Sequence, residues 1–381
     1  MEIYFLCGYI LALFIQIFFH IFASLALHRA KKQAQEAEKQ PKTAEKGQKL
    51  PSVSLVICAR NERDNLKNHL PNLLYQQYKG EWEIIVVDDD SFDNSLEILA
   101  HFERQYPQKL RVIGLKDKQK AGKKVALQAG INAAKGEWIL LTDADCCPNS
   151  FNWLGLMIGK AMENPQTEIV LGFSPYREKN TILSAWIGYE TALTGLQYIS
   201  FAQWGKAYMG VGRNLLYKKS LFLEKNNFKN HQIASGDDDL FINEASNSTN
   251  TQVCLDKNSF CKSQPVGSWK GLYWQKKRHF AAGNFYPTSV KIYLFLIAQS
   301  HFWAHIGCLL WIIFDGINPL ILTFWAIRNI VVWGLMAYIS KFIFHYKKNL
   351  LLFAFFDLVV PIYYCIFAAT FTKNQKRIQW K

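Results

Sequence analysis

The stretch Glu137-Trp138-Ile139-Leu140-Leu141-Thr142-Asp143-Ala144-Asp145-Cys146-Cys147-Pro148 joins a short apolar run to a pair of acids. It is entered from Lys135-Gly136, carries an aromatic and branched side chains, and is closed by a proline, the pattern of a buried strand. Asp143 and Asp145 are two apart, so on an extended backbone they point to one side with Cα atoms about 6.5 Å apart. Two carboxylates so placed can converge on one divalent cation, or on a cation and a sugar hydroxyl. A solvated turn at a strand end can carry the same pair. The acids elsewhere in the chain decide between the two.

Upstream of this stretch, strands alternate with helices. Val53-Ser54-Leu55-Val56-Ile57-Cys58 reads as a buried strand, residues 64–77 carry Leu66, Leu70, Leu73 and Leu74 at helical spacing, and Glu83-Ile84-Ile85-Val86-Val87 reads as the next strand. Asp93 or Asn94 caps a helix bearing Leu96, Leu99 and Phe102; residues 110–115 form a third strand, 123–134 a helix closed at Gly136, and the run into Asp143 a fourth strand. Such alternation predicts a mostly parallel sheet with helices on its faces and ligands gathered at the carboxyl ends of the strands. Those ends carry Ala59-Arg60-Asn61-Glu62, then Asp88-Asp89-Asp90-Ser91-Phe92-Asp93-Asn94-Ser95, then Thr142-Asp143-Ala144-Asp145. Like charges on one rim repel unless a cation or hydrogen-bond donors sit among them, so the set points to a ligand. Ala121-Gly122-Lys123-Lys124 adds a small flexible step and cations suited to a diphosphate, although an ordinary exposed helix start has the same composition.

The order Val-Ile-Cys-Ala-Arg-Asn-Glu, Val-Asp-Asp-Asp-Ser-Phe-Asp-Asn-Ser, Gly-Lys-Lys-Val-Ala-Leu and Thr-Asp-Ala-Asp resembles glycosyltransferase family 2, nucleotide-sugar transferases with a GT-A fold. The resemblance continues through Gly210-Val211-Gly212-Arg213-Asn214, Ser235-Gly236-Asp237-Asp238-Asp239-Leu240 and Gln275-Lys276-Lys277-Arg278-His279, and so spans roughly residues 51–286. It implies an α/β, Rossmann-like, mostly parallel sheet flanked by helices. It also implies a nucleotide-binding set of Arg60, Glu62, Asp88, Asp89, Lys123 and Asp143, with Asp145 and Asp143 holding Mg²⁺ or Mn²⁺ on the diphosphate. Asp238, with Asp237 as the alternative, matches the aspartate that takes the proton of the attacking hydroxyl; three acids before Leu240-Phe241-Ile242 would equally favour a helix N-terminus. Asn214, Trp274, Gln275, Arg278 and His279 fall at the acceptor and diphosphate end. The family pattern there is Gln-x-x-Arg-Trp, and this chain places His279 where tryptophan is usual.

Apolar residues pile up at both ends of the 381-residue chain. Residues 3–27 contain no Lys, Arg, Asp or Glu and are long enough to cross a hydrocarbon layer about 30 Å thick. The basic residues follow this run rather than precede it, which favours an anchor over a cleaved signal peptide. Residues 28–50 form a basic linker, and 269–286 read as interfacial helices on the membrane surface. After Pro287, spans are expected at 292–314, 318–340 and 350–370, with Arg328 and Asp357 inside them. Three such spans would put the tail 373–381 on the far side from a cytosolic domain, against the positive-inside rule. Either one segment, the one holding Arg328 first, takes a re-entrant or interfacial course, or the rule does not hold for this chain. The net charge of +14 flanks membrane segments without any nucleic-acid motif, so no nucleic-acid partner is expected. Eight cysteines without paired CxxC spacing argue against a disulfide scaffold.

Four regions follow: an N-terminal transmembrane helix (1–27), the linker (28–50), a cytosolic GT-A domain (51–286), and C-terminal transmembrane helices, two or three, with a basic tail (287–381). The expected activity is inverting transfer of a sugar from a nucleotide diphosphate sugar, a UDP-sugar first, to a hydroxyl of a lipid or lipid-linked acceptor at the bacterial inner membrane. A processive polysaccharide synthase and an inactive nucleotide-binding scaffold are the alternatives.

Overall fold

The computed structural model describes residues 2–39, 49–116, 122–225, 236–348 and 350–368. The middle of the linker (40–48), Ala121, Ser235, the last residues expected in the third C-terminal span (369–370) and the tail 373–381 lie outside the described residues, as does the side chain of Asp237. The chain divides into two compact units: the described residues of one are 30–177 and 201–264, those of the other 2–29, 178–200 and 265–368.

The first unit is built on nine strands: β1 (Val53–Ala59), β2 (Trp82–Asp88), β3 (Leu110–Gly114), β4 (Trp138–Asp143), β5 (Cys146–Pro148), β6 (Ile169–Gly172), β7 (Leu215–Lys218), β8 (Thr251–Cys254) and β9 (Cys261–Ser263). Seven of them form one mixed sheet in the order β3-β2-β1-β4-β7-β6-β8, and β5 and β9 pair separately. The first four in that order are parallel, as the strand and helix alternation predicts. β7 then runs antiparallel to both β4 and β6, and β8 parallel to β6. Every residue of β1 is buried, because helices cover both faces; hence its unbroken apolar run. Each aliphatic side chain fully buried in this way contributes about 1.5–3 kcal/mol. Gly136 is required at the entry to β4: a Cβ there would lie 2.4 Å from the backbone nitrogen of Ser54.

The second unit is helical. Among the described residues three helices are long and apolar enough to cross a membrane: Ile3–Glu36, which lies in this unit up to Arg29, Thr288–Asp315 and Pro319–Ile343. The helix Leu352–Phe367 is shorter. The expectation that the Arg328 segment is the irregular one is thereby corrected: Arg328 sits inside a continuous 25-residue helical course, and the short helix is the one bearing Asp357. Both charges are fully buried and paired with each other, so Arg328 faces protein and has no need to reach an interface. Arg328 also donates to Gln16 Oε1 at 2.9 Å and to Asn329 Oδ1 at 3.0 Å. Asp357 also accepts from Trp333 Nε1 at 3.0 Å and Tyr189 OH at 3.3 Å, and His301 and His305 lie at 3.0 and 3.1 Å. Tyr9, Leu13, Cys308, Trp311 and Ile321 pack the apolar part of the same unit.

Candidate active site

Strand register gathers the acids of the first unit. It sets Ala59 opposite Asp88 and Cys58 opposite Asp143, so the ends of β1, β2 and β4 share a rim. The loops leaving β1 and β2 are zipped together: Asp89 N donates to Ala59 O at 2.8 Å, Asn61 N to Ser91 Oγ at 2.8 Å, and Glu62 N to Ser95 Oγ at 3.1 Å. Asn61, Asp90 and Asn94 have φ of 55°, 60° and 64°, a left-handed backbone that short polar side chains tolerate best. Asp93 belongs to this zip. It accepts from Arg63 N at 3.0 Å and from Ser95 N at 3.1 Å. Burial would raise its carboxyl, but hydrogen bonds from the Ser95 hydroxyl and the backbone outweigh that and hold it below the ordinary carboxylate value. Asn94, rather than Asp93, occupies the N-cap position of the helix Ser95–Gln105.

Asp88 and Asp89 are buried on this rim. Asp88 Oδ2 accepts from Ser91 N at 3.1 Å, while Oδ1 has no hydrogen-bond partner among the described residues. Glu62 accepts from Asn65 at 2.5 Å. Arg60 stands at the end of β1, partly buried.

At the end of β4, Lys123 Nζ lies 2.9 Å from Asp143 Oδ1. Asp145 Oδ2 accepts from Ser263 Oγ at 2.9 Å, and Oδ1 from the Cys146 thiol at 3.2 Å. Ligand atoms of Asp143, Asp145 and Cys146 lie within 4.8 Å of one another. Burial pushes the Cys146 thiol well above its ordinary value, so it stays protonated and donates, and the two carboxylates are the donor set. Hard oxygen ligands of this kind fit Mg²⁺ or Mn²⁺. The Arg213 guanidinium lies 4.3 Å from the Tyr176 ring centroid, and its carbonyl accepts from Thr142 Oγ1 at 3.0 Å.

The loop before β7 ties this end of the sheet to the second acidic cluster. Gly212 N donates to Asp238 Oδ2 at 2.6 Å, and Asp239 N donates to Asp238 Oδ1 at 3.1 Å. Asp237, Asp238 and Asp239 open the helix Asp237–Ala245, with Gly236 at its N-cap in a left-handed conformation, φ 78°. The helix-terminus reading of these acids is therefore correct as structure, and Asp238 is tethered across to Gly212.

Asn214 departs from expectation. It is fully buried: its amide donates to Phe173 O at 3.0 Å and Ser259 O at 2.8 Å, and its oxygen accepts from Trp153 Nε1 at 2.9 Å. These bonds leave it committed to the core as a strut, with no face for a diphosphate or acceptor. Trp274, Gln275, Arg278 and His279 lie on the helix Trp269–Ala282 of the second unit. Ser263 and Tyr176 were not legible as site features. They act through contacts up to 118 residues apart in the chain, and no local pattern marks them.

The sequence profile described as Glycosyl transferase family 2 matches residues 54–224. That segment of the chain matches glycosyl transferase family 2. A probable glycosyltransferase of Bacillus subtilis, YdaM, is 26% identical over 250 residues, 65% of this chain and 58% of its own length. Dolichyl-phosphate beta-glucosyltransferase ALG5A of Trichomonas vaginalis is 32% identical over 136 residues, 33% of this chain and 41% of its own length. Poly-beta-1,6-N-acetyl-D-glucosamine synthase of Staphylococcus epidermidis is 24% identical over 272 residues, 68% of this chain and 64% of its own length. The chain thus spans about two fifths to two thirds of these relatives. Among solved structures, the mannosyltransferase PcManGT of Pyrobaculum calidifontis, in complex with GDP-Man and Mn²⁺, matches with a TM-score of 0.55 at 16% identity. That match covers 97% of this chain and 100% of the other, and it shows a shared GT-A fold. The rim of β1, β2 and β4 is thus part of a family 2 domain.

One other cluster resembles a metal centre. His301, His305 and Asp357 also bring ligand atoms within 4.8 Å. Trp325 Nε1 points at His305 Nδ1 at 3.2 Å, and an indole can only donate. His305 Nε2 lies 3.1 Å from Asp357 Oδ2 and 3.2 Å from Arg328 Nη1, and Arg328 is paired with Asp357, so the ring nitrogens and the carboxylate are already engaged by protein groups.

Proposed function

We propose that this chain is a membrane-bound inverting glycosyltransferase that moves a sugar from a nucleotide diphosphate sugar to a hydroxyl of a lipid or lipid-linked acceptor. The observation that carries the reading is the convergence, in a family 2 domain, of three acid-bearing strand ends with a separately tethered aspartate. In this reading the regions 1–27 and 287–381 anchor a catalytic domain, 51–286, on the cytoplasmic side of a bacterial inner membrane. Three apolar helices of sufficient length support the anchoring.

Arg60, Glu62 and Asp89 hold the nucleoside, with Asp88 Oδ1 positioned to accept a base or ribose donor. Asp143 and Asp145 carry the divalent ion, a choice favoured by their oxygen donors and by the Mn²⁺ bound in the archaeal structure. When bound, that ion offsets the negative charge that gathers on the departing diphosphate. Lys123 neutralises Asp143 in the free enzyme and can turn its ammonium to the diphosphate once the site is filled. Asp238 accepts the acceptor hydroxyl proton while the oxygen attacks the anomeric carbon from the face opposite the leaving group, which inverts that carbon in one displacement. Gly212 N–H aims the Asp238 carboxylate.

A lipid acceptor is favoured because three long helices leave little protein for a sugar channel of the chain's own. The dolichyl-phosphate transferase among the relatives acts on such an acceptor by name. The Staphylococcus match keeps a processive synthase as the second reading. Purified enzyme given a panel of nucleotide sugars, UDP-sugars first, with total membrane lipid and Mn²⁺ should add one sugar to lipid. It should lose that activity with EDTA and in Asp238→Asn. A product ladder would establish the second reading, and no turnover from any donor would overturn both.

A further inference from the structure

Helix Trp269–Ala282 carries Lys270, Lys276, Lys277, Arg278 and His279, and of these only Lys276 is buried. Its ammonium is bonded to Glu190 on the helix Ile182–Gln203, with side chains only 8% and 14% exposed. Lysine is almost never buried without such a partner. The same carboxylate has Tyr363 OH, on the helix Leu352–Ala368, and Thr194 Oγ1 at 3.5 Å. Around this pair the apolar side of the helix is stacked in place. Phe280 and Phe367 lie 4.9 Å apart and nearly parallel, Tyr273 stacks on Phe367 at 5.6 Å, and Leu272 is buried.

Successive residues of a helix are about 100° apart, so Arg278 projects about 160° away from Lys276 and Gln275 about 100° away. Rings alone let a helix slip about its axis, because stacking is tolerant of small rotations. A buried ion pair is not, since any rotation that parts it strands a charge in a low dielectric.

We propose that Glu190 is a positioning residue: by gripping Lys276 it fixes the rotation of this helix, and with it the direction in which Gln275 and Arg278 are presented. The effect on sugar transfer rests on the function proposed above together with the family resemblance, which implies that Gln275 and Arg278 serve the diphosphate and acceptor. The effect on orientation does not.

The test uses the full chain in lipid nanodiscs, with Glu190→Gln, Lys276→Met, and the exchange Glu190→Lys with Lys276→Glu. Orientation is read as the maleimide labelling rate of Gln275→Cys in a background whose native cysteines are replaced. It should change about fivefold in either single variant and return to near the parent rate in the exchange. Transfer should show kcat down about tenfold in the single variants and recovered by the exchange. If Glu190→Gln does not fold, Lys276→Met, which leaves no buried cation, carries the same expectation. Unchanged labelling and kcat in the single variants, or an exchange that folds yet recovers neither, would overturn the proposal. A parent without transfer would remove the proposed function, and the labelling rates alone would then decide the positioning role.

Discussion

At the scale of single residues, the proposed chemistry rests on Asp238 and on what holds it. Asp238→Asn keeps the shape and the Gly212 contact but cannot take a proton, so kcat should fall about a hundredfold to ten-thousandfold while nucleotide-sugar binding is retained; product formation against donor titration separates the two. Gly212→Ala tests the tether. A Cβ there would stand 3.2 Å from Asp238 Oδ2, tighter than an ordinary contact, and the carboxylate is held by the backbone on its other side. We expect kcat to drop with Km for the donor nearly unchanged. Asn214 belongs to a different class despite its place in the same motif. Asn214→Leu strips partners from Trp153 Nε1 and from two carbonyls, at about 1–3 kcal/mol for each buried group left unpaired. The loss should appear in thermal or denaturant unfolding, and an undiminished melting temperature would contradict the strut role.

At the scale of elements, the strands and loops of the rim were the legible part. β1, β2 and β4 are long apolar runs ending in acids, and such runs announce themselves because both faces must be covered. β5 to β9 are three or four residues each, too short for a strand period to show, and the pairing of Cys146 with Ser263 depends on a return of the chain 117 residues later. The acids could be read as a set, whereas the role of Asp93 could not, since its partners Arg63 and Ser95 lie on two different helices. That role has a pH signature. The carboxyl of Asp93 is lower in the fold than in the open chain, so its contribution to stability is full above the open-chain value, near 3.9, and is lost as pH falls through the folded value. Acid unfolding of Asp93→Asn should therefore be less steep below about pH 4 than that of the parent. Identical acid limbs would refute the account.

At the scale of the whole molecule, the helical unit is gathered around the ion pair of Arg328 and Asp357. Arg328 and Asp357 draw in Gln16 from the N-terminal helix, Tyr189 from the helix Ile182–Gln203, and His301 and His305 from the Thr288–Asp315 course, so five segments far apart in sequence share one polar centre. The sequence shows both charges inside apolar runs but not that they face each other, because a separation of 29 positions that includes a turn sets no helical phase between them. Neither partner can be removed alone without leaving an uncompensated buried charge, and the helix of Asp357 is shorter than the three long apolar helices. Arg328→Met and Asp357→Leu should each destabilise the unit by about 3–5 kcal/mol, whereas the double variant, which takes both charges out together, should recover most of that loss. Unfolding of the four proteins in detergent measures the coupling. A double variant no more stable than the sum of its singles would mean that the surrounding donors, rather than the pair, hold these helices together.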